Sequence, residues 1–369
     1  MKITIIGNKK APDNSPLADG GRLKTSLYFN KLIAEGFQVE FIELSNWRKR
    51  VFRLLIQIKQ GISNSQVVII MGGPNGCRPL IKICNFFNTK RKTRIIFIML
   101  GIGTIDKKIK RLNEVQVNQF LKNGDTFKVK DRNMAKALSK LDLVVTQNEI
   151  LANFYEKFYE LTNVRVLNNF RDFKKRPAPR ISNNINGGVK FVYFSRVNEE
   201  KGIFDLLEAV ETLKTRTKSE FSLDIYGQLQ LNSTQILKYE SLLTENVKYL
   251  GILENDLVLN VLNQYDFMIF PTKYHGEGTP GSIIESFLAG LPVLTSSYSQ
   301  AHLLVTHGQN GFIFQQNDVE SLVREMLKIL DLDNQYMNNL KQNAYTTGST
   351  YSYETNREMF LSYVTGGGK

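Results

Sequence analysis

The stretch DFMIFPTKYHGEGTPGSIIESFLAGLPVL, residues 266–294, reads in order as a strand, a loop, a helix, a glycine and a second strand. The two predicted strands, 266–272 and 291–297, are short apolar runs bounded by turn residues, which is typical of buried strands. A helix between two such strands is the crossover unit of a parallel sheet. The stretch therefore predicts an α/β fold whose parallel sheet is covered by helices on both faces.

The same alternation fills the rest of the chain. Further strands are predicted at 2–7, 37–44, 66–72, 94–100, 141–147, 164–169, 189–196, 221–227, 247–251 and 310–314. Helices are predicted at 21–35, 48–60, 78–88, 131–139, 149–159, 202–216, 233–243, 254–263, 281–289, 318–330, 334–346 and 353–364. Prolines, asparagines and a glycine pair interrupt the pattern and predict a linker at 173–187. We therefore expect two Rossmann-like doubly wound domains, 1–172 and 188–350, then a C-terminal helix and flexible tail at 351–369, with a ligand cleft between the domains.

The composition limits the classes of protein to consider. Hydrophobic residues make up 42% of the 369 residues and charged residues 22%, which favours folded domains over disorder. Cys77 and Cys84 have no companion cluster of Cys or His, so neither a disulfide framework nor a cysteine zinc site is indicated. The start MKITIIG reads as a strand and not as a signal peptide. The longest apolar runs fall far short of the ~20 residues of a membrane span.

The net charge of +13 is concentrated in the first half of the chain. Counting along the sequence, residues 1–172 carry 30 Lys and Arg against 14 Asp and Glu, whereas residues 188–369 carry 14 against 21. Residues 46–61 predict an amphipathic helix with Trp47, Val51, Leu54, Leu55 and Ile58 on one side and Arg48, Lys49, Arg50 and Arg53 around it. This pattern is typical of a helix that lies on an anionic membrane. The alternative is an ordinary helix that packs on its own sheet with its charges in water.

Two glutamates in the opening stretch are candidates for ligand binding. Glu277 lies on a glycine-rich loop, and Glu285 follows after seven residues, about one turn into the next helix. Carboxylates accept hydrogen bonds from paired sugar hydroxyls, and the residues from Gly278 to Gly281 allow a ligand to approach the backbone. The helix dipole alone would also favour acids here, but it does not explain the special residues between them.

Candidate anion-binding residues lie at three other strand–helix junctions. Arg196 and Lys201 flank the turn after the strand at 189–196, where a helix N-terminus would add positive potential. Tyr226 and Gly227 end the next strand, and the glycine would permit close approach of a ligand. Gly20 and Gly21 open a helix after the first strand. The alternative for Arg196 and Lys201 is a solvated turn, and for Gly227 it is an ordinary strand end. For Gly20 and Gly21 the alternative is a tight helix start.

Taken together, EGTPGSIIE (277–285), FLAGLPVLTSS, NGFIFQQNDVESLVREMLKIL and FSRVNEEKG resemble family-4 glycosyltransferases with their E-x7-E motif. The likeness is strong over 189–330 and looser over 1–170. It implies the GT-B fold, in which two Rossmann-like domains face each other and the last helix, at 353–364, crosses back to the first domain. It also implies a sugar-nucleotide donor held by the second domain. It also implies transfer with retention of configuration, with no metal and no cofactor.

The resemblance assigns roles to individual residues. Arg196 and Lys201 match the pair that binds the donor diphosphate, Glu277 the residue that contacts the donor sugar, and Glu285 the residue that holds the ribose. The remaining matches are Thr279, Pro280, Gly281 and Ser282 beside sugar and phosphate, and Gly20 and Gly21 near phosphates and acceptor. The first domain lacks the histidine that many relatives carry near the sugar. His275 is a candidate for that contact, with an exposed loop imidazole as the alternative.

The resemblance implies a retaining hexosyltransferase that uses a nucleoside-diphosphate sugar, with UDP as the expected nucleotide. The expected acceptor is a glycan or a lipid-linked glycan in polysaccharide or capsule synthesis. The expected location is the cytoplasm, peripherally on the inner face of the membrane. Alternatives are a sugar-nucleotide epimerase of the same fold and an inactive glycan-binding protein. Nucleic acid is not an expected partner, because no recognised module is present.

Overall fold

Every predicted strand forms, and the central strands of both sheets are buried apolar runs. The computed structural model describes residues 1–9, 20–45, 47–100, 132–181, 188–274, 276–298 and 300–367, without the side chains of Arg48, Asn75 and Arg132. The chain divides into two units, Met1–Asn169 with Asn356–Lys369, and Phe170–Thr355. Each unit contains one parallel six-stranded sheet.

The first unit has the strand order β2-β1-β3-β4-β5-β6. Its strands are β1 (Lys2–Gly7), β2 (Gln38–Glu43), β3 (Val67–Gly72), β4 (Arg94–Met99), β5 (Leu143–Thr146) and β6 (Val164–Val166). Its described helices are α1 (Gly20–Ala34), α2 (Val51–Asn64), α3 (Pro74–Phe87), α4 (Arg132–Leu138) and α5 (Glu149–Tyr159), and a 3₁₀ turn at Trp47–Arg50 precedes α2. The helix α3 begins four residues before its predicted start, because Pro74 occupies the first helical turn, where its missing N–H costs nothing.

The second unit has the strand order β12-β11-β10-β7-β8-β9. Its strands are β7 (Val189–Phe194), β8 (Phe221–Tyr226), β9 (Val247–Tyr249), β10 (Phe267–Phe270), β11 (Val293–Ser296) and β12 (Gly311–Phe314). Its helices are α6 (Ile203–Arg216), α7 (Ser233–Ser241), α8 (Val258–Leu262), α9 (Gly281–Leu288), α10 (Val319–Leu330) and α11 (Asn334–Ser349). Apolar clusters cover both faces of this sheet, as expected for buried parallel strands.

The last helix, α12 (Tyr353–Thr365), joins the first unit from Asn356 onward. Phe360 packs against Tyr28 with ring centroids 4.8 Å apart. Arg357 donates to the Glu35 carboxylate, and the Tyr363 hydroxyl donates to the Val166 carbonyl at 3.0 Å. Apolar packing and polar contacts therefore both hold α12 on this unit.

The described part of the predicted linker is bound to the second unit. Arg176 donates to the Leu288 carbonyl at 3.1 Å and to the Ser349 hydroxyl at 2.7 Å. Arg180 forms an ion pair with Asp266 at 2.7 Å. Arg176 and Arg180 of this segment therefore attach it to the second unit.

The helix α2 exposes a different apolar face from the predicted one. Leu54 and Ile58 are buried in the core of the first unit, and Trp47 packs against that core. Phe52 is 85% exposed and Ile56 59% exposed. The prediction that Trp47, Leu54 and Ile58 face an anionic membrane was therefore wrong. These residues face inward, because the position of the sheet determines which side of the helix is buried. None of the described helices is long and apolar enough to cross a lipid bilayer.

Candidate active site

The second sheet has its topological switch point between β7 and β10, which are neighbours in the sheet although two strands, β8 and β9, lie between them along the chain. Connections on the two sides of such a point run in opposite directions, so the loops after the two strands diverge and leave a crevice. The loop after β7 contains Arg196 and Lys201. The loop after β10 contains Glu277. The topology therefore brings together residues that are about eighty positions apart in the sequence.

Lys201 is held at this crevice by its own backbone turn. Residues Glu199–Lys201 form a 3₁₀ turn whose cap, Asn198, accepts a hydrogen bond from the Lys201 N–H at 2.9 Å. Gly202 follows with φ of 75°, and a side chain there would strike the Pro271 carbonyl. Only glycine fits both the left-handed conformation and the close approach. The chain can therefore turn sharply into α6 while Lys201 points towards the β10 loop.

Lys201 forms an ion pair with Glu277, through Nζ and Oε2. Their side chains are 7% and 11% exposed, so water screens the pair little. Thr272 also donates to Oε2, at 3.1 Å. The Lys201 ammonium lies 5.3 Å from the Phe270 ring centroid and 5.6 Å from that of Tyr274. The Phe270 and Tyr274 rings and the Thr272 hydroxyl thus hold the Lys201 and Glu277 side chains in this geometry.

The other Glu277 oxygen, Oε1, accepts no hydrogen bond from a described residue. A carboxylate with one oxygen bound and one open can accept hydrogen bonds from a ligand. Tyr298 packs against Phe270 near Glu277, and its buried hydroxyl has no hydrogen-bond partner within the described residues. Burial, and then the Glu277 charge, raise the pKa of this phenol well above its usual range. Tyr298 therefore stays neutral at ordinary pH.

The helix α9 begins next to this loop. Pro280 caps it in an extended conformation, with φ of −65° and ψ of 132°, and Gly281 is its first residue. Its first N–H groups have no acceptor within the helix, so this end can bind an anion. Thr279 and Ser282 are partly exposed here. Glu285, one turn further on, forms an ion pair with Arg171 through Oε1 and Nε at 2.7 Å.

Arg196, Tyr226 and Gly227 lie at the ends of β7 and β8. Arg196 is exposed, and its guanidinium has no ion-pair partner within the described residues. The Tyr226 hydroxyl lies 3.3 Å from that of Tyr265. Gly227 has φ of 146°, and a side chain there would overlap the Ser195 carbonyl. Contact between neighbouring strand ends is thus sufficient to require this glycine, without any ligand.

The remaining predicted residues are less constrained. Gly20 opens α1 with open space beside it, and Gly21 is the second residue of that helix. His275 lies outside the described residues. Sequence reasoning missed Arg171, Thr272 and Tyr274, because nothing in their local sequence distinguishes them from other loop residues.

No group of three or more His, Cys, Asp or Glu side chains that could hold a metal occurs in the part of the chain that the structure describes. One Asp-x-Asp triplet, Asp331–Asp333, occurs in the sequence. Asp331 is the C-cap residue of α10, and the Asp333 side chain caps α11 by accepting from the Tyr336 N–H at 2.7 Å. The triplet therefore joins two helices.

Comparison with known proteins finds similarities to glycosyltransferases. Residues 175–347 match the family described as "Glycosyl transferases group 1". The amylovoran biosynthesis glycosyltransferase AmsK of Erwinia amylovora is 25% identical over 146 residues, 38% of this chain and 36% of that protein. The Escherichia coli UDP-Gal:alpha-D-GlcNAc-diphosphoundecaprenol alpha-1,3-galactosyltransferase is 30% identical over 98 residues, 26% of this chain and 24% of that protein. The first curated relatives are matched over less than two thirds of their own length.

Among solved structures, Anabaena Alr3699/HepE in complex with UDP superposes with a TM-score of 0.70 at 14% identity, over 99% of this chain and 100% of that chain. This likeness concerns the fold, which is that of GT-B glycosyltransferases, so the predicted α/β class with two Rossmann-like domains is confirmed. The matches support a group 1 glycosyltransferase. The narrower assignment to family 4 and the roles of the two glutamates remain predictions.

Proposed function

We propose that the protein transfers a hexose from a nucleoside-diphosphate sugar, with retention of configuration and without a metal ion, to a glycan or lipid-linked glycan of a surface polysaccharide. The observation that carries the proposal is the buried Lys201–Glu277 pair at the switch point of the second sheet, beside the N-terminus of α9. Cations, helix N–H groups and an open carboxylate oxygen in one crevice suit a ligand that is anionic at one end and rich in hydroxyls at the other.

In this proposal Lys201 and Arg196 bind the diphosphate and stabilise the negative charge that it gains as the glycosidic bond breaks. Fixed positive groups at the site of developing charge account for large rate factors, because they need no reorganisation during the reaction. The first turn of α9, with Gly281 and Ser282, adds N–H donors. These groups of the protein would then neutralise the charge on the diphosphate, as a metal ion does in other transferases.

Glu277 is proposed to bind the donor sugar through Oε1, the oxygen without a described partner. Thr279 and Pro280 line the same loop, and His275 keeps its proposed contact with the sugar. Glu285 is proposed to hold the ribose, and Gly20 and Gly21 keep the role near phosphates and acceptor that the resemblance implies. UDP is the proposed nucleotide, in keeping with the name of the Escherichia coli relative.

The test is a screen of UDP-, GDP- and ADP-sugars with release of nucleoside diphosphate as the readout, with and without a lipid-linked glycan acceptor. We expect acceptor-dependent release, an unchanged rate in EDTA, and a product whose anomeric configuration, measured by NMR, equals that of the donor. Interconversion of the sugar nucleotide without release would support the epimerase instead. Binding without turnover would support the glycan-binding alternative.

Arg196→Ala is expected to reduce turnover by ~10²-fold or more, because a positioned group at the leaving diphosphate is lost. Arg216→Ala is the matched control: this arginine lies in the last turn of α6, in an exposed ion pair with Glu320. We expect the control to keep wild-type turnover. Equal turnover of Arg196→Ala and wild type would remove Arg196 from the mechanism.

The proposed membrane association rests on the first unit. Phe52 and Ile56 are exposed one turn apart on α2, and Lys49, Arg50, Arg53 and Lys59 are exposed on or next to that helix. Apolar side chains surrounded by cations can bind at the interface of an anionic bilayer. Each cation near the surface contributes about 1 kcal/mol to the free energy of binding. A lipid-linked acceptor would be reached from that surface, on the cytoplasmic side.

Flotation with liposomes that contain or lack anionic lipid tests this association. We expect binding only to anionic liposomes, reduced by salt and abolished in Phe52→Ser/Ile56→Ser. Leu237→Ser, an exposed apolar residue on α7 of the acidic second unit, serves as the control and should bind like wild type. Flotation that is independent of anionic lipid, or equal in both variants, would contradict the proposed surface.

A further inference from the structure

Arg171 is fixed at both its backbone and its side chain. Its N–H donates to the Tyr351 carbonyl at 2.8 Å, and its carbonyl accepts from the Tyr353 N–H at 2.8 Å. Its side chain reaches α9, where Nε donates to Glu285 Oε1 at 2.7 Å. The Arg171 and Glu285 side chains are 11% and 15% exposed. The backbone anchor therefore sets where the guanidinium can lie.

Gly281 makes room for this guanidinium. A side chain at Gly281 would overlap Arg171 Nη2 and lie 3.0 Å from Cζ. The φ angle of Gly281 is not in the left-handed region, so the backbone conformation alone would accept alanine. Close approach of Arg171 is thus the reason for glycine at the first residue of α9. The guanidinium consequently lies against the helix N-terminus, where anion-binding N–H groups are exposed.

We propose that Arg171 is a positioning residue of the donor site, which orients Glu285 for the ribose and adds a third cation beside the diphosphate. By holding Oε1, Arg171 leaves Oε2 of Glu285 to accept the ribose hydroxyls. Among the described residues of the site, Arg171, Arg196 and Lys201 are three cations against the carboxylates of Glu277 and Glu285, and without Arg171 two of these cations remain. An anionic ligand would then meet a site with no net positive charge. This inference rests on the proposed function.

The close contact between Gly281 and Arg171 allows a double-mutant cycle. Gly281→Ala keeps all charges but displaces the guanidinium, and Arg171→Met removes it while keeping a long side chain. The dissociation constant of UDP is measured by calorimetry, with GDP and ADP in parallel. We expect each single variant to weaken binding roughly tenfold or more, as for the loss of a charge-assisted hydrogen bond. In the Arg171→Met background, Gly281→Ala should add less than about twofold, because the displaced group is already absent.

Two further measurements separate positioning from a structural role. Arg171→Lys keeps the charge with a different donor geometry, and it should restore part of the affinity lost in Arg171→Met. Melting temperatures are recorded for all variants. Wild-type affinity in Arg171→Met together with a lower melting temperature would show a purely structural contact and overturn this inference alone. No nucleotide binding by the wild type would overturn the proposed function together with it.

Discussion

Strand β10 has a buried lysine–carboxylate pair near each end, and the two pairs differ in what remains open. Before the strand, Asp266 Oδ1 accepts from Lys341 and from Arg180, each at 2.7 Å, and Oδ2 accepts from the Lys190 N–H at 3.0 Å. After the strand, Glu277 Oε2 accepts from Lys201 and Thr272, whereas Oε1 has no partner within the described residues. Both carboxylates are buried.

The difference in open hydrogen-bonding capacity indicates that the two lysine–carboxylate pairs have different roles. A buried charge is tolerated when its hydrogen-bonding capacity is filled, and Asp266 meets that condition with groups from α11, the segment before β7, and β7 itself. Glu277 keeps unused capacity at the carboxyl edge of the sheet, where ligands of such folds bind. The Asp266 pair is therefore structural, and the Glu277 pair is suited to bind a ligand.

The largest effect is expected from breaking the structural pair. Asp266→Asn should lower the free energy of unfolding by about 3–5 kcal/mol, because it leaves Lys341 buried without its countercharge. Urea titration followed by circular dichroism measures the loss, and Asp205→Asn, from a more exposed pair with Lys273, is the control with an expected loss of about 1 kcal/mol or less. A similar small loss in both variants would remove the distinction between the two ends of β10.

Breaking the second pair should affect turnover more than stability. Lys201→Ala is expected to lower kcat about 10²–10³-fold, because it removes a cation from the leaving diphosphate. The melting temperature should fall less than in Asp266→Asn, since Glu277 retains an open oxygen that water can reach. Comparison of kcat at saturating donor with the melting temperature tests this split. A variant that unfolds more readily than Asp266→Asn but keeps wild-type kcat would reverse the two assignments.

The smallest effect is a dependence of stability on pH. Burial, the largest single influence on Asp266, acts to raise its pKa, but Lys341, the Lys190 N–H and Arg180 together bring the pKa below the usual 3.8. A lowered folded-state pKa contributes stability that is present above the unfolded pKa and is lost as pH falls through the folded value. The gap in melting temperature between wild type and Asp266→Asn should therefore narrow as pH falls below about 4. A gap that widens on acidification would contradict the sign.

Much of this fold follows from local pattern. Within the described residues, the twelve strands and the helices of both units were predictable, because short apolar runs and helical spacing indicate burial directly. The ends were less predictable: every strand except β1 was predicted one to three residues too long, because the residue pattern does not mark where sheet pairing stops. The exposed face of α2 was mispredicted, since periodicity gives two apolar sides and only packing selects one.

The sequence by itself determined the two α/β units, the uneven charge and the spacing of Glu277 and Glu285, because these depend on residue type and on neighbours along the chain. Tertiary structure decided which cation meets which acid: Lys201 with Glu277, and Arg171, a residue without any motif, with Glu285. Such pairings follow from strand order and loop direction, which join residues about eighty or more positions apart. No local sequence preference determines which of these cations and carboxylates come into contact.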